Sequence, residues 1–387
     1  MKTLFFALVT FPLIAFSQVD CVDYDDCYEK GYNANTWAEM AQYYGKAVEF
    51  WNADEHSNIY LADALSGRGE ALMNESMREE NEGKGYVEMA LNDASRALEV
   101  NPKDWRAHYI RGYVAVIKKQ GWDSINYHFS NAAAADDQIA YPPFYLANKY
   151  YGWKHNKKAK EFVSIAIDRL PGRSWSKAAN GEDIMTMKFG DTSVPDATRA
   201  AMYALRGKIQ LDTYQEKDSS YWDMLKAKEF DPNNYTAISY LGKLYYSIDA
   251  NKSFGYYSEL AEKYPEKGEG YFWMGMHQYG AKNYDPALSN FLKAAEIEPA
   301  EWPDGWLWAS SIYSIKSNWD ATISLATKAI AGGITYKPDL GQAYLNRGYA
   351  YWQKKQTNYT ISDFKKAVDN GNEQARTYLR DYFSISY

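Results

Sequence analysis

The sequence predicts an all-α fold: a right-handed α-solenoid of about eight helical hairpins with one loop and short-strand insert. Two observations carry this. The stretch ALSNFLKAAEIEP (Ala287–Pro299) is written a second time, with Ala, Leu, Ala, Glu and Pro at the same places, as ALNDASRALEVNP (Ala90–Pro102). A small residue also returns inside helical patterns at Gly69, Gly112, Ala147, Gly207, Gly242, Gly275, Ser310 and Gly348, most successive intervals being close to roughly 34 residues. A fixed period of that size marks a repeat array, in which each unit buries its surface against its neighbours.

Taken in order, MKTLFFALVTFPLIAFS (residues 1–17) reads as a secretory signal, with Lys2 before an apolar run from Thr3 to Phe16. The run is short against the ~20 residues of a membrane span, and cleavage is expected before Gln18, so no transmembrane span is expected after it. Residues 18–56 hold an acidic segment and a capping helix near TWAEMAQYYGKAVEFW. Cys21 and Cys27 are the only cysteines, and an oxidising compartment allows them to close a small disulfide loop. The aspartates around them lack the glycine and terminal glutamate of a calcium loop, so the segment reads as a solvated acidic tail and no metal is expected. Residues 57–171 contain hairpins 1–3, the first lengthened by MREENEGKGY (Met77–Tyr86). Residues 172–197 form the insert, with Asp183 to Phe189 alternating like a strand and Trp175 and Phe189 as its candidate binding residues. Hairpins 4–8 span 198–371, and NEQARTYLRDYF opens a C-terminal capping helix over 372–387.

Tyr271, Met274, Gly275, Ala287, Phe291, Ala294 and Pro299 fall in register with the pattern W-x2-L-G-x2-Y, A-x3-F, A and a late P. This resembles the tetratricopeptide repeat (TPR), with Gln278 departing at the second tyrosine place. Further late prolines at Pro102, Pro171, Pro232 and Pro265 agree, as do small residues late in the second helices: Ala97, Ala166, Ala227, Ala261, Ala294, Ala329 and Ala367. The physical reason is packing. Two helices approach closely only where side chains are small, and a helical glycine otherwise costs ~1 kcal/mol against alanine. The leader and its FSQ junction also look like those of an exported Bacteroidota-type protein.

A net charge of −7, with no Lys/Arg-rich run, argues against nucleic acid or an anionic membrane as partner. No metalloprotease, phosphate-loop, nucleophile-elbow or redox-cysteine motif occurs, so neither an enzyme nor a cofactor is expected. The aromatic content is high, with 36 Tyr, 13 Trp and 15 Phe, most of it expected to fill the space between helices. In the TPR family the first helix of each hairpin lines an inner groove. Carried over, the resemblance implies a groove of Tyr109, Tyr113, Tyr145, Asn148, Tyr151, Lys208, Lys243, Tyr246, Phe272, Met276, Tyr279, Tyr349 and Trp352. Of the Lys, Asn and Arg with which the family's basic groove grips a peptide carboxylate, only Asn148 is matched, with Tyr145 where Lys is wanted. The expectation is an exported scaffold, periplasmic or at the cell surface, that binds segments of envelope or secreted proteins. A glycan-binding TPR protein and an (α/α) toroid glycoside hydrolase are the alternatives. The hydrolase needs two carboxylates across one cleft, and the regular repeat spacing favours an open array.

Overall fold

The computed structural model describes residues 19–78, 85–136, 138–177, 183–188 and 194–387. Its contacts divide it into two compact units, Met1–Pro195 and Asp196–Tyr387. In the first unit α1 (Tyr24–Tyr32) pairs with α2 (Trp37–Phe50). Three hairpins follow: α3 (Asn58–Glu75) with α4 (Tyr86–Val100), α5 (Trp105–Ile117) with α6 (Trp122–Ala135), and α7 (Tyr141–Gly152) with α8 (Asn156–Asp168). Strands β1 (Gly172–Lys177) and β2 (Asp183–Lys188) close it as an antiparallel pair in whose backbone register Trp175 is the partner of Met185.

The second unit holds five hairpins: α9 (Asp196–Tyr214) with α10 (Lys217–Phe230), α11 (Tyr235–Tyr245) with α12 (Ala250–Lys263), α13 (Gly268–Gly280) with α14 (Tyr284–Ile297), α15 (Pro303–Ile315) with α16 (Trp319–Ala331), and α17 (Lys337–Gln353) with α18 (Thr357–Asp369). Helix α19 (Glu373–Phe383) ends it. The eight hairpins expected from the repeat are α3 to α18. The leader with its cleavage site, residues 79–84 of the first lengthened loop, and Phe189 lie outside the described residues.

All eight small residues are buried, and the chemistry at several is the same. A ring from the second helix lies on the bare backbone of the first: Phe129 on Gly112, Tyr257 on Gly242, Phe291 on Gly275 and Phe364 on Gly348. A Cβ added at Gly275 would stand 2.8 Å from the Phe291 ring. Between hairpins the approach is tighter still, for a Cβ at Gly305 would stand 2.4 Å from the Phe291 carbonyl oxygen. The prolines at 102, 232, 265 and 299 each sit two residues beyond the end of a second helix, and Pro171 three, where the missing N–H and fixed φ stop it. Helices α16 and α18 have no such proline and run into Gly333 and Gly371, at φ +84° and +87°. Turns inside the hairpins use the left-handed region without glycine, at Lys119, Lys154, Gln215, Lys282, Ser317 and Lys355.

The acidic N-terminal segment is a correction to the sequence reading. Far from a solvated tail, it folds as α1, whose N-cap Asp23 accepts from the Asp26 N–H. Tyr24 and Cys27 are buried with Tyr44, Ala47 and Ala64, and the Tyr24 hydroxyl donates to the Tyr60 carbonyl at 2.8 Å. Cys21 and Cys27 are joined, holding the entry strand against this helix. The aspartates lie toward the surface while Tyr24 and Cys27 carry the packing.

An arginine precedes the small residue in four hairpins. Arg68, Arg206 and Arg347 each hold a buried aspartate of the second helix, Asp93, Asp223 and Asp363, through two charge-assisted bonds of 2.6–2.9 Å. In the α5–α6 hairpin a histidine replaces that aspartate. Arg111 Nε donates to His128 Nε2 at 3.3 Å, and His128 Nδ1 lies 3.1 Å from His108 Nδ1. His108 Nε2 meets the Pro102 carbonyl at 3.1 Å. All three contacts are satisfied when both rings are neutral, His108 protonated on Nε2 and His128 on Nδ1, an assignment made from the network. Burial depresses the basicity of both rings, Arg111 adds to the effect, and His128 is lowered to about 4.

Two predictions follow from this packing. Gly305→Ala is expected to cost about 1–3 kcal/mol and more than Gly275→Ala, because a ring can tilt whereas a carbonyl within a helix cannot; equal melting temperatures for both variants and wild type would refute the register. The second concerns pH. The unfolded chain binds protons at His128 that the folded chain refuses, so stability falls as pH drops from about 6.5 towards about 4. His128→Asp, which recreates the ion pair of the other hairpins, is expected to flatten that dependence in melting curves taken across this range.

A candidate partner-binding groove

Within the second unit the first helices α13, α15 and α17, with the turn into α19, enclose a cavity of about 560 Å³. Helix α13 contributes Tyr279, α15 Trp308, Ser311, Ser314 and Ile315, and α17 Pro338, Asp339, Gln342 and Asn346; Gly371 and Asn372 close one end. Helical spacing explains the set. Trp308, Ser311 and Ile315 lie three and four residues apart on one face of α15, as do Asp339, Gln342 and Asn346 on α17.

The floor is a chain of amides and hydroxyls. Asn372 Nδ2 donates to Gln342 Oε1 at 3.4 Å, Gln342 Nε2 to Asn346 Oδ1 at 2.8 Å, and Asn346 Nδ2 to Ser311 Oγ at 2.8 Å. Ser311 Oγ in turn donates to the Leu307 carbonyl at 3.2 Å. Each amide retains donor or acceptor capacity beyond these bonds. The wall is aromatic: Tyr279 meets Trp308 edge-on at 5.1 Å, and Trp308 stacks over Phe291 at 6.2 Å between centroids. No lysine or arginine lines the cavity among the described residues, and its one formal charge is Asp339. Burial holds the Asp339 carboxyl above its usual range.

Of the residues expected in a groove, Tyr279 stands in this wall. In the first unit Tyr109, Tyr113 and Tyr145 are half-buried around Phe129, with ring centroids 5.6, 6.1 and 3.8 Å from it. The Tyr145 hydroxyl is buried with no hydrogen-bond partner, and burial, aided by Tyr113, pushes its pKa up to about 12. These tyrosines pack their rings on Phe129 and keep part of their surface exposed. Asn148 is exposed and donates to its own helix at the Phe144 carbonyl, and Tyr151 is half-buried.

In the second unit Lys208 is half-buried near the Tyr240 ring, and Lys243 is engaged by Asp212 at 2.8 Å, edging a smaller cavity of about 290 Å³. Tyr246 is exposed beside Trp273 and His277. Phe272 is core, 7% exposed between Phe291 and Trp302, and Met276 packs half-buried in the same cluster. Tyr349 and Trp352 are covered by α19: Trp352 meets Tyr378, Tyr382 and Phe383 within 5.7 Å. The capping helix takes the face that the repeat pattern assigned to a partner. For Trp175 the backbone lies in β1.

Trp308, Ser311, Asp339, Gln342, Asn346 and Asn372 are groove residues absent from the sequence-based set. The repeat register reaches Ser311 and Ser314 from Ser310, and Asn346 and Gln342 from Gly348. A preference for aromatic and basic side chains passed over them.

Every hairpin carries a buried small residue in its first helix at the same place in the repeat. The hairpins are of the tetratricopeptide type. No family model and no curated protein matches the sequence. Among solved structures the chain is similar to the C-terminal part of a TPR repeat-containing protein from Cytophaga hutchinsonii, with 17% identity over 70% of this chain and 98% of that one and a TM-score of 0.47. It is also similar to PilF of Pseudomonas aeruginosa, with 16% identity over 62% and 92% and a TM-score of 0.44. A third is MamA, with 21% identity over 43% and 95% and a TM-score of 0.36.

The contrast between packed and exposed aromatics is measurable. Trp352→Ala, which empties the seat of α19, is expected to cost about 3 kcal/mol. Tyr246→Ala is expected to stay within about 1 kcal/mol of wild type, since it leaves no enclosed cavity. Denaturant unfolding of the two variants checks the order, and the reverse order would refute the placement of α19.

Proposed function

We propose that this protein is an exported TPR scaffold whose groove over α13, α15 and α17 binds an extended segment of a partner protein of the cell envelope. The observation that carries the reading is the Asn372–Gln342–Asn346–Ser311 chain lying beside the Tyr279–Trp308 wall. An extended peptide presents one donor and one acceptor per residue, and side-chain amides answer both. Its side chains find apolar contact on the rings. The leader-like first residues and the joined Cys21–Cys27 pair support export to an oxidising compartment. A glycan platform is less well served, because Tyr279 and Trp308 meet at 65° and offer no common plane for a sugar face.

Ser314 lines the cavity without belonging to the hydrogen-bonded floor, so Ser314→Trp fills the groove and leaves its supports alone. The expected outcome is an unchanged melting temperature and loss of partners recovered from the organism's own envelope extract. Blocking an interface centre commonly costs ~2 kcal/mol or more of affinity. Undiminished recovery by the folded variant would overturn the assignment.

A further inference from the structure

Three first helices of the array end on a lysine that the fold itself uses. Lys118, Lys316 and Lys354 cap α5, α15 and α17, and each meets an acid at the start of the preceding second helix: Glu88, Asp285 and Asp320. Helix α7 departs from this rule. Its C-cap is Trp153, and Asp123, the acid at the matching place in α6, is exposed with no ion pair among the described residues. Trp153 instead lies edge-on to Trp122, with ring centroids 4.0 Å apart, and 45% of its surface stays exposed.

Lysines surround this ring. Lys154, at φ +62°, follows Trp153 directly, and Lys157 and Lys158 open α8. Lys119 holds the same left-handed place in the neighbouring α5–α6 turn, three residues before Trp122. All four are exposed, and none has an ion pair among the described residues. Lys158 rests over the Tyr150 ring, 5.0 Å from its centroid. Asp123 and Glu161 are the acids on the same stretches, and the lysines outnumber them. In a chain of net charge −7, the end formed by these two turns is locally positive. Rings separate the charges in the sequence, and only the contact between the two turns gathers them.

Exposed lysines keep a surface soluble. That does not account for a half-exposed tryptophan held by packing in their midst. Lys157 and Lys158 also stand in the first turn of α8, where the free N–H groups disfavour a cation, so they do not steady that helix. A fixed aromatic ring with charges around it has the composition of an interface centre and its polar rim.

We propose that the adjoining turns of α5–α6 and α7–α8 form a second docking surface, which takes an acidic segment of a partner protein. An apolar side chain of the segment seats on Trp153, and its carboxylates meet Lys154, Lys157 and Lys158. Charge complementarity selects this occupant. A short segment ends within the patch, whereas a bilayer or a nucleic acid extends over the negative remainder of the molecule and is repelled there. The inference does not depend on the groove over α13, α15 and α17.

The test uses the intact protein and two capped peptides, Gly-Glu-Glu-Phe-Glu-Glu-Gly and its glutamine counterpart, with binding followed by calorimetry. The glutamate peptide is expected to bind at least about tenfold more tightly, the sum of several exposed charge contacts, and to lose that margin as salt is raised. Lys154→Gln, Lys157→Gln and Lys158→Gln together are expected to erase the margin at an unchanged melting temperature. Lys282→Gln with Lys355→Gln, at the left-handed place of two other hairpin turns, is expected to leave it intact. Trp153→Ala is expected to weaken both peptides. Equal affinity for the two peptides, a margin that survives the triple substitution, or one that Lys282→Gln with Lys355→Gln removes as fully, would overturn the proposal. So would tighter binding to vesicles of phosphatidylcholine and phosphatidylglycerol, or to a single-stranded oligonucleotide, than to the glutamate peptide, since the patch would then serve a lipid surface or a nucleic acid.

Discussion

Every hairpin depends on how closely its two helices can approach, and in four of the eight that distance is set where an aromatic ring of the second helix rests on the bare backbone of the first. Phe129, Tyr257, Phe291 and Phe364 occupy this place, and the glycines beneath them leave no room for a methyl group. A ring buried there contributes about 1.5–3 kcal/mol. The loss of helix propensity at the glycine, ~1 kcal/mol, is smaller, so the contact wins and the sequence keeps both partners. Once the crossing is fixed, the remaining positions of each first helix are assigned: one side meets the second helix, another meets the next hairpin, and the last faces out.

That leftover face becomes a groove only where nothing covers it. Over α13, α15 and α17 it is open, and its floor is a run of hydrogen-bonded amides that hold one another in place. Toward the C-terminal end, the same helical phase puts Tyr349 and Trp352 beneath α19, where they pack partly buried against the last core cluster. At the other end of the chain α1 does comparable work, burying Tyr24 against α2 and α3. Terminal repeats expose an apolar face that an internal repeat covers with its neighbour, so an end helix with a polar outer side is needed.

Polar groups inside the hairpins follow the same economy of space. An arginine beside the small residue reaches the second helix and meets a buried aspartate, which would be costly alone. The α5–α6 hairpin solves the same geometry with two neutral imidazoles, a contact that is sensitive to mild acid.

The fold was legible because its constraints are local and repeated. Small residues at a fixed period, alanines late in second helices and prolines two or three residues past helix ends located the eight hairpins. The N-terminal helix was hidden by the four aspartates in and before its first turn, whose charge masked the spacing of Tyr24 and Cys27. The left-handed turns at Lys119, Lys154, Lys282, Ser317 and Lys355 were hidden too, since none uses glycine. The site was less legible for a physical reason. Helical phase tells which face a residue is on, and it put Tyr279, Tyr349 and Trp352 on the same one. What covers that face depends on elements far along the chain: α19 settles on Tyr349 and Trp352, Phe129 draws in Tyr109 and Tyr145, and Asn372 completes the floor from beyond the last hairpin. The sequence by itself determined the hairpins, because each is set by contacts between neighbouring helices. Which of their outward residues remain for a partner was decided by tertiary packing, because exposure belongs to the whole surface and not to the helix that carries the side chain.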